Sequence, residues 1–112
     1  MSAAVASRLV SIRERGGIKA REVAQLLNTT PETVSRWQSG RVDPQPDRLQ
    51  KLLLLEWIVS ELAEFYGSDE ARLWLFAPHR LLSGETPAQR IQNDKVEDVQ
   101  ALLAQLRDGA YA

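Results

Sequence analysis

Apolar residues recur at helical spacing along almost the whole chain, and glycine and proline interrupt them at short intervals. Val5, Leu9 and Ile12 would lie on one face of a first helix, which the pair Gly16-Gly17 ends. No segment keeps the two-residue alternation of apolar and polar residues that is typical of a half-buried strand. The sequence therefore predicts an all-α fold built from short helices.

Capping residues and helix breakers set the bounds of the other helices. Thr30 followed by Pro31 is typical of an N-cap and a first helical position, and a glycine after an apolar segment is typical of a helix C-terminus. The second helix is expected over residues 19–27, and the third begins at Pro31 and is followed by Gly40. The fourth runs from Asp47 to Tyr66 and is closed by Gly67 at C′, and the fifth is capped by Ser68 and ends near Phe76. A brief helix begins at Thr86-Pro87, and a capping box of Asp94 and Glu97 opens a last one that Gly109 ends.

The fourth of these helices is apolar around most of its circumference. Its apolar residues are Leu49, Leu52, Leu53, Leu54, Leu55, Trp57, Ile58, Val59 and Leu62. A helix that lies on a protein surface shows a narrower apolar stripe. We therefore expect this helix to contact the N-terminal helices on one side and the C-terminal helices on another, with a dimer partner available for the remainder.

The residue inventory excludes several classes of protein. The chain has 112 residues, enough for one or two small domains with a real core, and it contains no cysteine. Disulfides and cysteine zinc sites are therefore excluded, and a single histidine, His79, excludes a histidine-rich metal site. The sequence also lacks a nucleophile with a base, a phosphate-binding glycine loop and acids at metal-ligand spacing, so we expect no enzyme, no cofactor and no metal.

Cellular location is indicated by what the sequence lacks. No stretch of about 20 apolar residues is present to span a membrane. No charged segment followed by an apolar one begins the chain, as it would in a secretory signal. Together with the absence of cysteine, these features predict a cytoplasmic protein.

The two halves of the chain differ in charge. Residues 1–46 hold seven Lys/Arg and four Asp/Glu, a net charge of +3, whereas residues 47–112 hold seven and eleven, a net charge of −4. This asymmetry suggests two surfaces with different partners, although shifts of a few charges also arise by chance. Five acids of the second half cluster in sequence, namely Glu56, Glu61, Glu64, Asp69 and Glu70. They would either attract a basic partner surface or form a solvated helix face.

Residues 20–40 have the spacing of a helix, a tight turn and a second helix, which is the arrangement that places one helix in the major groove of DNA. Ala24 is small where the helices would cross, and Asn28 occupies a turn position that requires a left-handed backbone. Val34 and Trp37 would pack the second helix onto the first. The residues that would then point outward or lie at the rim are Glu32, Thr33, Ser35 and Arg36. Their polar groups suit phosphates and base edges, which argues against a hairpin used only for packing.

Residues 17–44, GIKAREVAQLLNTTPETVSRWQSGRVDP, resemble the helix-turn-helix of the Xre-type, phage-repressor-like DNA-binding families. Such motifs often carry glutamine, which anchors a phosphate, where this chain has Ala20; Lys19 or Arg21 would have to replace it. The resemblance implies a DNA-binding head and connector over residues 1–46. The DNA contacts expected in that head are Lys19, Arg21, Thr30, Glu32, Thr33, Ser35, Arg36 and Arg41.

The modest charge of this head bears on its oligomeric state. A net charge of +3 neutralises few phosphates, so the affinity of a monomer would fall steeply with salt. Specific binding then calls for two heads on a two-fold DNA site, and we expect a homodimer.

Residues 73–112 resemble the toxin-binding domain of the Xre/MbcA/ParS antitoxin family. The resemblance is carried by Trp74, Pro78-His79, Leu81-Leu82, Ser83-Gly84, Pro87 and Ile91, followed by an amphipathic helix that ends at Gly109. It implies an all-α type II antitoxin in which a helix-turn-helix head is followed by a long helix and a small helical toxin-binding or dimerisation domain, residues 47–112. Such a protein neutralises a toxin encoded by the adjacent gene, often a RES-fold enzyme that consumes NAD, and represses its own operon.

Toxin contacts are expected in the bend after the fifth helix and at the C-terminus. The residues are Trp74, Pro78, His79, Arg80, Leu82, Gly84 and Tyr111. His79 is also interpretable as a surface or capping histidine. Tyr111 suits an interface because it is apolar with a polar tip, and our hypothesis is that the last four residues cover the toxin's active site.

Other functions remain open on the residues alone. A plain phage-like repressor, whose C-terminal half only dimerises, would bind DNA and no protein from the neighbouring gene. A regulator that senses a small ligand would need a cavity with convergent polar groups, for which the helical residues after Pro46 leave little room. An enzyme is the least supported alternative.

Overall fold

The computed structural model describes the backbone of residues 2–110, with side chains from residue 4 to residue 109. Within that range the chain forms seven α-helices and one 3₁₀ turn and contains no strand, which confirms the all-α prediction. The helices are α1 (Ser2–Gly16), α2 (Ala20–Leu26), α3 (Pro31–Ser39), α4 (Pro46–Leu62), α5 (Ser68–Phe76), α6 (Pro87–Gln92) and α7 (Val96–Ala110). The 3₁₀ turn, Arg80–Leu82, lies between α5 and α6.

Helices α1 to α3 lie in the N-terminal head, and α4 packs against it. Helix α1 contacts α3 and α4, and α2 contacts α3. The head residues predicted to face inward are all buried, namely Val5, Leu9, Ile12, Val23, Ala24, Leu27, Val34 and Trp37. The helical periodicity of the sequence therefore identified the inner faces of these helices correctly.

A glycine allows α1 and α4 to approach closely. A Cβ atom on Gly16 would lie 2.9 Å from Cγ2 of Val59 in α4, closer than such atoms approach in proteins. The next residue, Gly17, has a φ of 63°, a left-handed conformation that glycine adopts without strain. The glycine pair therefore ends α1 and also fits it against α4.

The turn between α2 and α3 has the conformation that its sequence predicts. Asn28 follows α2 with a φ of 55°. The N–H of Thr29 donates to the carbonyl of Ala24 at 2.9 Å, which is the hydrogen bond of a Schellman helix end. Gly40 ends α3 in the same way, with a φ of 82°.

The end of α4 differs from the prediction. The helix ends at Leu62, four residues before Tyr66. Gly67 does not close it with a left-handed residue but has a φ of −72° and is the N-cap of α5. Its N–H donates to Oε1 of Glu70 at 3.2 Å, so Ser68 is the first residue of α5 rather than its cap.

The start of the last helix also differs from the prediction. Helix α7 begins at Val96, and Asp94 is not its N-cap but a left-handed residue with a φ of 61°. This conformation closes α6, because the N–H of Lys95 then donates to the carbonyl of Arg90 at 2.7 Å. The Asp94 carboxylate lies 3.1 Å from Nζ of Lys51 instead of capping α7.

The C-terminal helices pack directly on the head. Helix α5 contacts α1, α6 contacts α2 and α5, and α7 contacts α4 and α6, so that one continuous apolar core includes residues from every helix. Nζ of Lys51 and Nδ2 of Asn28 both donate to the carbonyl of Gln92, at 3.0 and 2.9 Å. The two halves thus share a core, and their division between residues 46 and 47 stays a prediction. No helix in the described part of the chain is long and apolar enough to cross a membrane.

Candidate DNA-binding and toxin-binding surfaces

The start of α3 is fixed by its own first turn. The Thr30 hydroxyl accepts a hydrogen bond from the N–H of Thr33 at 3.2 Å, and Pro31 occupies the first helical position. The hydroxyls of Thr30 and Thr33 lie 2.9 Å apart and are hydrogen-bonded to each other. Thr30 therefore caps the helix that would enter DNA. Thr33 is half-buried, and its hydroxyl is engaged in the hydrogen bond with the capping hydroxyl of Thr30.

The outer face of α3 is polar. Val34 and Trp37 point into the core, with exposed fractions of 1% and 2%, whereas Glu32, Ser35 and Arg36 are exposed. Among the described residues, no carboxylate pairs with the Arg36 guanidinium. The arginine is therefore available to bind a guanine edge or a phosphate.

Three further cations predicted to contact DNA are also exposed. Lys19 is the N-cap of α2, and its backbone N–H donates to Oε1 of Glu22 at 3.0 Å. Arg21 lies in the first turn of the same helix, and Arg41 follows the end of α3. Their contacts with phosphates, including any replacement for the missing glutamine at Ala20, stay predictions.

Glu22 of α2 has a structural partner that the sequence did not reveal. Arg72 of α5 forms an ion pair with it at 2.5 Å. Hydrogen bonds from the Arg72 side chain, assisted by the backbone N–H of Lys19, lower the pKa of Glu22 to about 2, against a smaller opposing effect of burial. Glu22 is therefore charged at physiological pH and holds α2 against the C-terminal half.

The bend after α5 orders two of the residues predicted to contact the toxin. Ala77 is extended before the exposed Pro78, as proline requires of the residue that precedes it. Nε2 of His79 lies 3.1 Å from the carbonyl oxygen of Trp74, and the two rings are 5.2 Å apart and tilted by 60°. His79 thus satisfies a carbonyl in the last turn of α5, which is the capping role that the sequence left open.

The structure buries one residue that was predicted to contact the toxin and exposes two leucines that the prediction did not include. Leu82 is only 3% exposed and packs inward, so its side chain is not on the surface. Its neighbour Leu81 is 59% exposed, and Leu73 on α5 is 68% exposed. Successive residues in a 3₁₀ turn point about 120° apart, so only one leucine of the pair can enter the core. The two leucines look alike in sequence, and no local signal distinguishes them.

Arg90 of α6 fixes the position of the 3₁₀ turn relative to α6 and α7. Its Nη2 donates to the carbonyl of Leu82 at 2.8 Å, its Nε lies 2.5 Å from Glu85, and its Nη1 lies 2.6 Å from Asp98 of α7. Hydrogen bonds to the Asp98 and Glu85 side chains raise the pKa of Arg90 above its usual value. The 3₁₀ turn that exposes Leu81 is therefore tied to both α6 and α7.

The remaining predicted contacts fall in different places. Arg80 is exposed in the 3₁₀ turn. Gly84 is exposed with a φ of 86°, and a Cβ atom there would meet nothing within 4 Å, so its glycine serves the backbone conformation rather than packing. Tyr111 lies outside the described residues.

The acidic cluster of the second half is largely used inside the protein. Glu56 pairs with Arg8 of α1, and Glu61 pairs with Arg107 of α7. Glu70 accepts the hydrogen bond that caps α5. These contacts favour a structural role for most of the cluster over attraction of a basic partner.

Comparison with known proteins assigns each half to a family. Residues 9–55 match the helix-turn-helix family. Residues 61–109 match the antitoxin Xre/MbcA/ParS C-terminal toxin-binding domain. The first match includes α2 and α3, and the second includes the Trp74–His79 contact and both exposed leucines.

Relatives resemble the chain over almost its whole length. The mycobacterial cidal antitoxin MbcA of Mycobacterium tuberculosis is 33% identical over 107 residues, which cover 96% of this chain and 95% of MbcA. The probable mycobacterial cidal antitoxin Rv3188 of the same organism is 30% identical over 106 residues, 95% of this chain and 90% of that protein. A chain in the crystal structure of the M. tuberculosis MbcT-MbcA toxin-antitoxin complex matches with a TM-score of 0.81, 33% identity and 96% coverage of both chains. With a helix-turn-helix followed by a toxin-binding domain, and with this similarity over almost its whole length, the chain belongs to the Xre/MbcA/ParS family of antitoxins.

Proposed function

We propose that this protein neutralises a toxin encoded by the adjacent gene and represses its own operon through the helix-turn-helix. The observation that carries the proposal is full-length similarity to MbcA, an antitoxin that was crystallised with a toxin. One chain then has two binding activities and no catalytic one. Its location in the cytoplasm, where both the operator and a newly made toxin occur, is part of the proposal.

The DNA-binding activity is supported by the polar face of α3. Ser35 and Arg36 are exposed on it, and Thr30 fixes the first turn of the helix. Insertion of this face into the major groove would bring the guanidinium to base edges or phosphates. Two copies on a two-fold operator would double the phosphate contacts made by a weakly basic head.

The toxin-binding activity is supported by two exposed leucines in the family's toxin-binding domain. Leu73 and Leu81 are large apolar side chains left in water, and Pro78 and Arg80 are exposed on the bend between them in sequence. Large apolar side chains exposed near one another mark interaction surfaces, and arginine is enriched among the residues that contribute most to a protein interface. We propose that this surface binds the toxin, and the family resemblance makes a RES-fold, NAD-consuming enzyme our first candidate.

The test is co-expression with the adjacent open reading frame. A tag on this protein should capture the neighbouring protein, and co-expression should restore growth that the neighbour alone arrests. The double variant Leu73→Glu with Leu81→Glu should lose both effects while it remains folded, because both side chains are already exposed. Val42→Glu, which changes an apolar residue that is 47% exposed near α3, is the matched control and should retain capture.

A plain repressor is the remaining alternative. It would bind the DNA upstream of its own gene, and the neighbouring protein would be harmless and would not be captured. That result would overturn the toxin-binding part of the proposal and leave the DNA-binding part in place. Capture that survives the double leucine variant would instead place the toxin contact elsewhere on the chain.

A further inference from the structure

The N-terminal head contains an open cleft of about 450 Å³ between α1, α2 and α3. Its floor is formed by four buried apolar side chains, those of Leu9, Ile18, Val23 and Val34. A volume of this size lies within the range of pockets that hold small organic molecules. The cleft lies outside the toxin-binding domain, and it offers an apolar surface that is large enough for a ligand.

The rim of the cleft is positively charged. Arg13 of α1 and Lys19, the residue before α2, line the cleft together with the amide side chain of Gln38 on α3. All three are exposed, and among the described residues neither cation forms an ion pair with a carboxylate. Glu22, the acid nearest to Lys19 in sequence, is already paired with Arg72. The rim therefore holds two cations that an anionic ligand could engage.

Ala20 leaves the entrance of the cleft open. This residue is exposed and lines the cleft, and it has only a methyl group at the position where similar helix-turn-helix motifs often carry glutamine. A longer side chain at this position would occupy part of the space above the apolar floor. The small residue therefore has a second consequence besides the loss of a phosphate anchor, because it keeps the floor accessible to a ligand.

The apolar floor favours a small molecule over the DNA backbone as the occupant. A phosphodiester would satisfy the two cations, but its charged and sugar groups gain no transfer free energy from buried apolar side chains. A molecule with an anionic group at one end and an apolar body at the other satisfies both parts of the cleft. Its body would leave water for the floor, and its charge would stay at the rim, where water can still solvate it.

We propose that the cleft binds a small amphipathic organic anion, with a carboxylate between Arg13 and Lys19 and an apolar ring or chain on the floor, and that its binding weakens binding of the operator. The effect on the operator rests on the proposed function, since Lys19 is also one of the residues proposed to contact DNA. A bound anion would neutralise Lys19 and repel the phosphates that approach it. The ligand would also contact Val34 of α3, the helix that enters DNA, so that repression responds to its concentration.

The probe for the test is 2-naphthoate, titrated into the full-length protein by isothermal titration calorimetry. Naphthoate should bind saturably at one site per chain. The amide 2-naphthamide has the same rings without the charge, and inorganic phosphate has charge without the rings, so each should bind about tenfold more weakly or less. No saturable binding of naphthoate, or equal binding of naphthoate and either comparison compound, would overturn the proposal.

Variants locate the probe in the cleft. Ala20→Leu fills the entrance without changing a charge, and Arg13→Gln with Lys19→Gln removes the cations; each should weaken naphthoate binding about tenfold or more while helical circular dichroism is unchanged, because all three residues are exposed. Ala104→Leu, at an exposed position of α7, is the matched control and should bind naphthoate as the wild type does. Naphthoate binding that survives either change in the cleft would overturn the proposal.

A DNA titration separates this inference from the proposed function. Saturating naphthoate should weaken binding of the upstream DNA about fivefold for the wild type and leave it unchanged for Ala20→Leu, which keeps both cations. DNA affinity that does not respond to saturating naphthoate would overturn the link to repression. A protein that binds naphthoate in the cleft but does not bind the upstream DNA would support the site and refute the DNA-binding part of the proposed function. Capture of the neighbouring protein, through another surface, should not change with naphthoate.

Discussion

Arg72 of α5 and Glu22 of α2 form a two-pronged ion pair, with Nη1 2.6 Å from Oε1 and Nη2 2.5 Å from Oε2. The same guanidinium donates to the carbonyl of Gly17 at 2.9 Å and lies 5.0 Å from the centre of the Phe76 ring. Glu22 belongs to the helix-turn-helix and Arg72 to the toxin-binding domain. The pair therefore joins the two parts of the chain through their polar surfaces, next to the core that they share.

Loss of this pair should destabilise the whole fold in a pH-dependent way. A pKa lowered from 4.5 to about 2 corresponds to roughly 3 kcal/mol, which solvent screening at the partly exposed Arg72 reduces, so Glu22→Gln should cost about 1–2 kcal/mol at pH 7. The folded-state pKa is below the unfolded one, so the stabilisation is complete above about pH 5 and is lost as the pH falls toward 2. Urea unfolding at pH 7, 4 and 2.5 should show the difference between wild type and variant shrinking with falling pH.

The control for this prediction is Glu14→Gln on the exposed side of α1. It removes the same charge without an ion-pair partner among the described residues and should change stability by less than about 0.5 kcal/mol. A Glu22→Gln effect that is the same at all three pH values would show that packing of the side chain, and not its charge, is responsible.

Local signals in the sequence were sufficient to predict the helix-turn-helix. Thr30 and Pro31 specify a helix start, Asn28 specifies a left-handed turn, and Val34 and Trp37 share the inner face of α3. Each of these inferences depends on residues within a few positions of one another, where backbone conformation and side-chain spacing decide the outcome. The structure agrees with all of them.

The features that escaped prediction depend on distant parts of the chain. Glu22 finds its partner 50 residues away, and the carbonyl of Leu82 in the 3₁₀ turn accepts a hydrogen bond from Arg90 of α6. Gly67 shows a different limit, because a glycine between two helices suits either the end of the first or the start of the second. Long-range partners and ambiguous boundaries therefore account for the differences between the predicted and the observed surfaces.

The close approach of α1 to α4 makes Gly16 intolerant of a side chain. Gly16→Ala would place a Cβ atom 2.9 Å from Val59, and the resulting shift of the two helices should cost about 1–3 kcal/mol of unfolding free energy. Gly109→Ala is the matched control, because a Cβ there meets nothing within 4 Å and alanine favours a helix. Thermal unfolding should therefore show a lower Tm for the first variant and an equal or higher Tm for the second; equal Tm values for the two would contradict the close packing.

The cap of α3 should matter for stability and for DNA binding together. Thr30→Ala removes the hydroxyl that accepts from the N–H of Thr33, at a cost of about 1 kcal/mol, whereas Thr30→Ser keeps an acceptor and should be nearly neutral. Because the first turn of α3 contains Glu32, one of the residues proposed to contact DNA, the alanine variant should also bind the upstream DNA more weakly than the serine variant. Urea unfolding measures the effect on stability, and a filter-binding titration measures the effect on DNA affinity. Equal DNA affinity for both variants would show that the cap does not contribute to DNA binding.

Arg36 should contribute more to operator binding than an exposed positive charge elsewhere on the chain does. Its guanidinium is exposed on α3 and has no carboxylate partner among the described residues, so Arg36→Ala should weaken operator binding by about 10–100-fold without destabilising the fold. Arg80→Ala removes the same charge from the 3₁₀ turn, on the surface proposed for the toxin, and is the control that should leave operator affinity unchanged. Titrations over a range of salt concentrations distinguish the two roles of Arg36. Loss of a phosphate contact should lower the salt dependence of binding by about one ion, whereas loss of a guanine contact should reduce the preference for the operator over unrelated DNA. Equal losses for the two alanine variants would mean that net charge, and not the position of Arg36 on the recognition helix, controls binding.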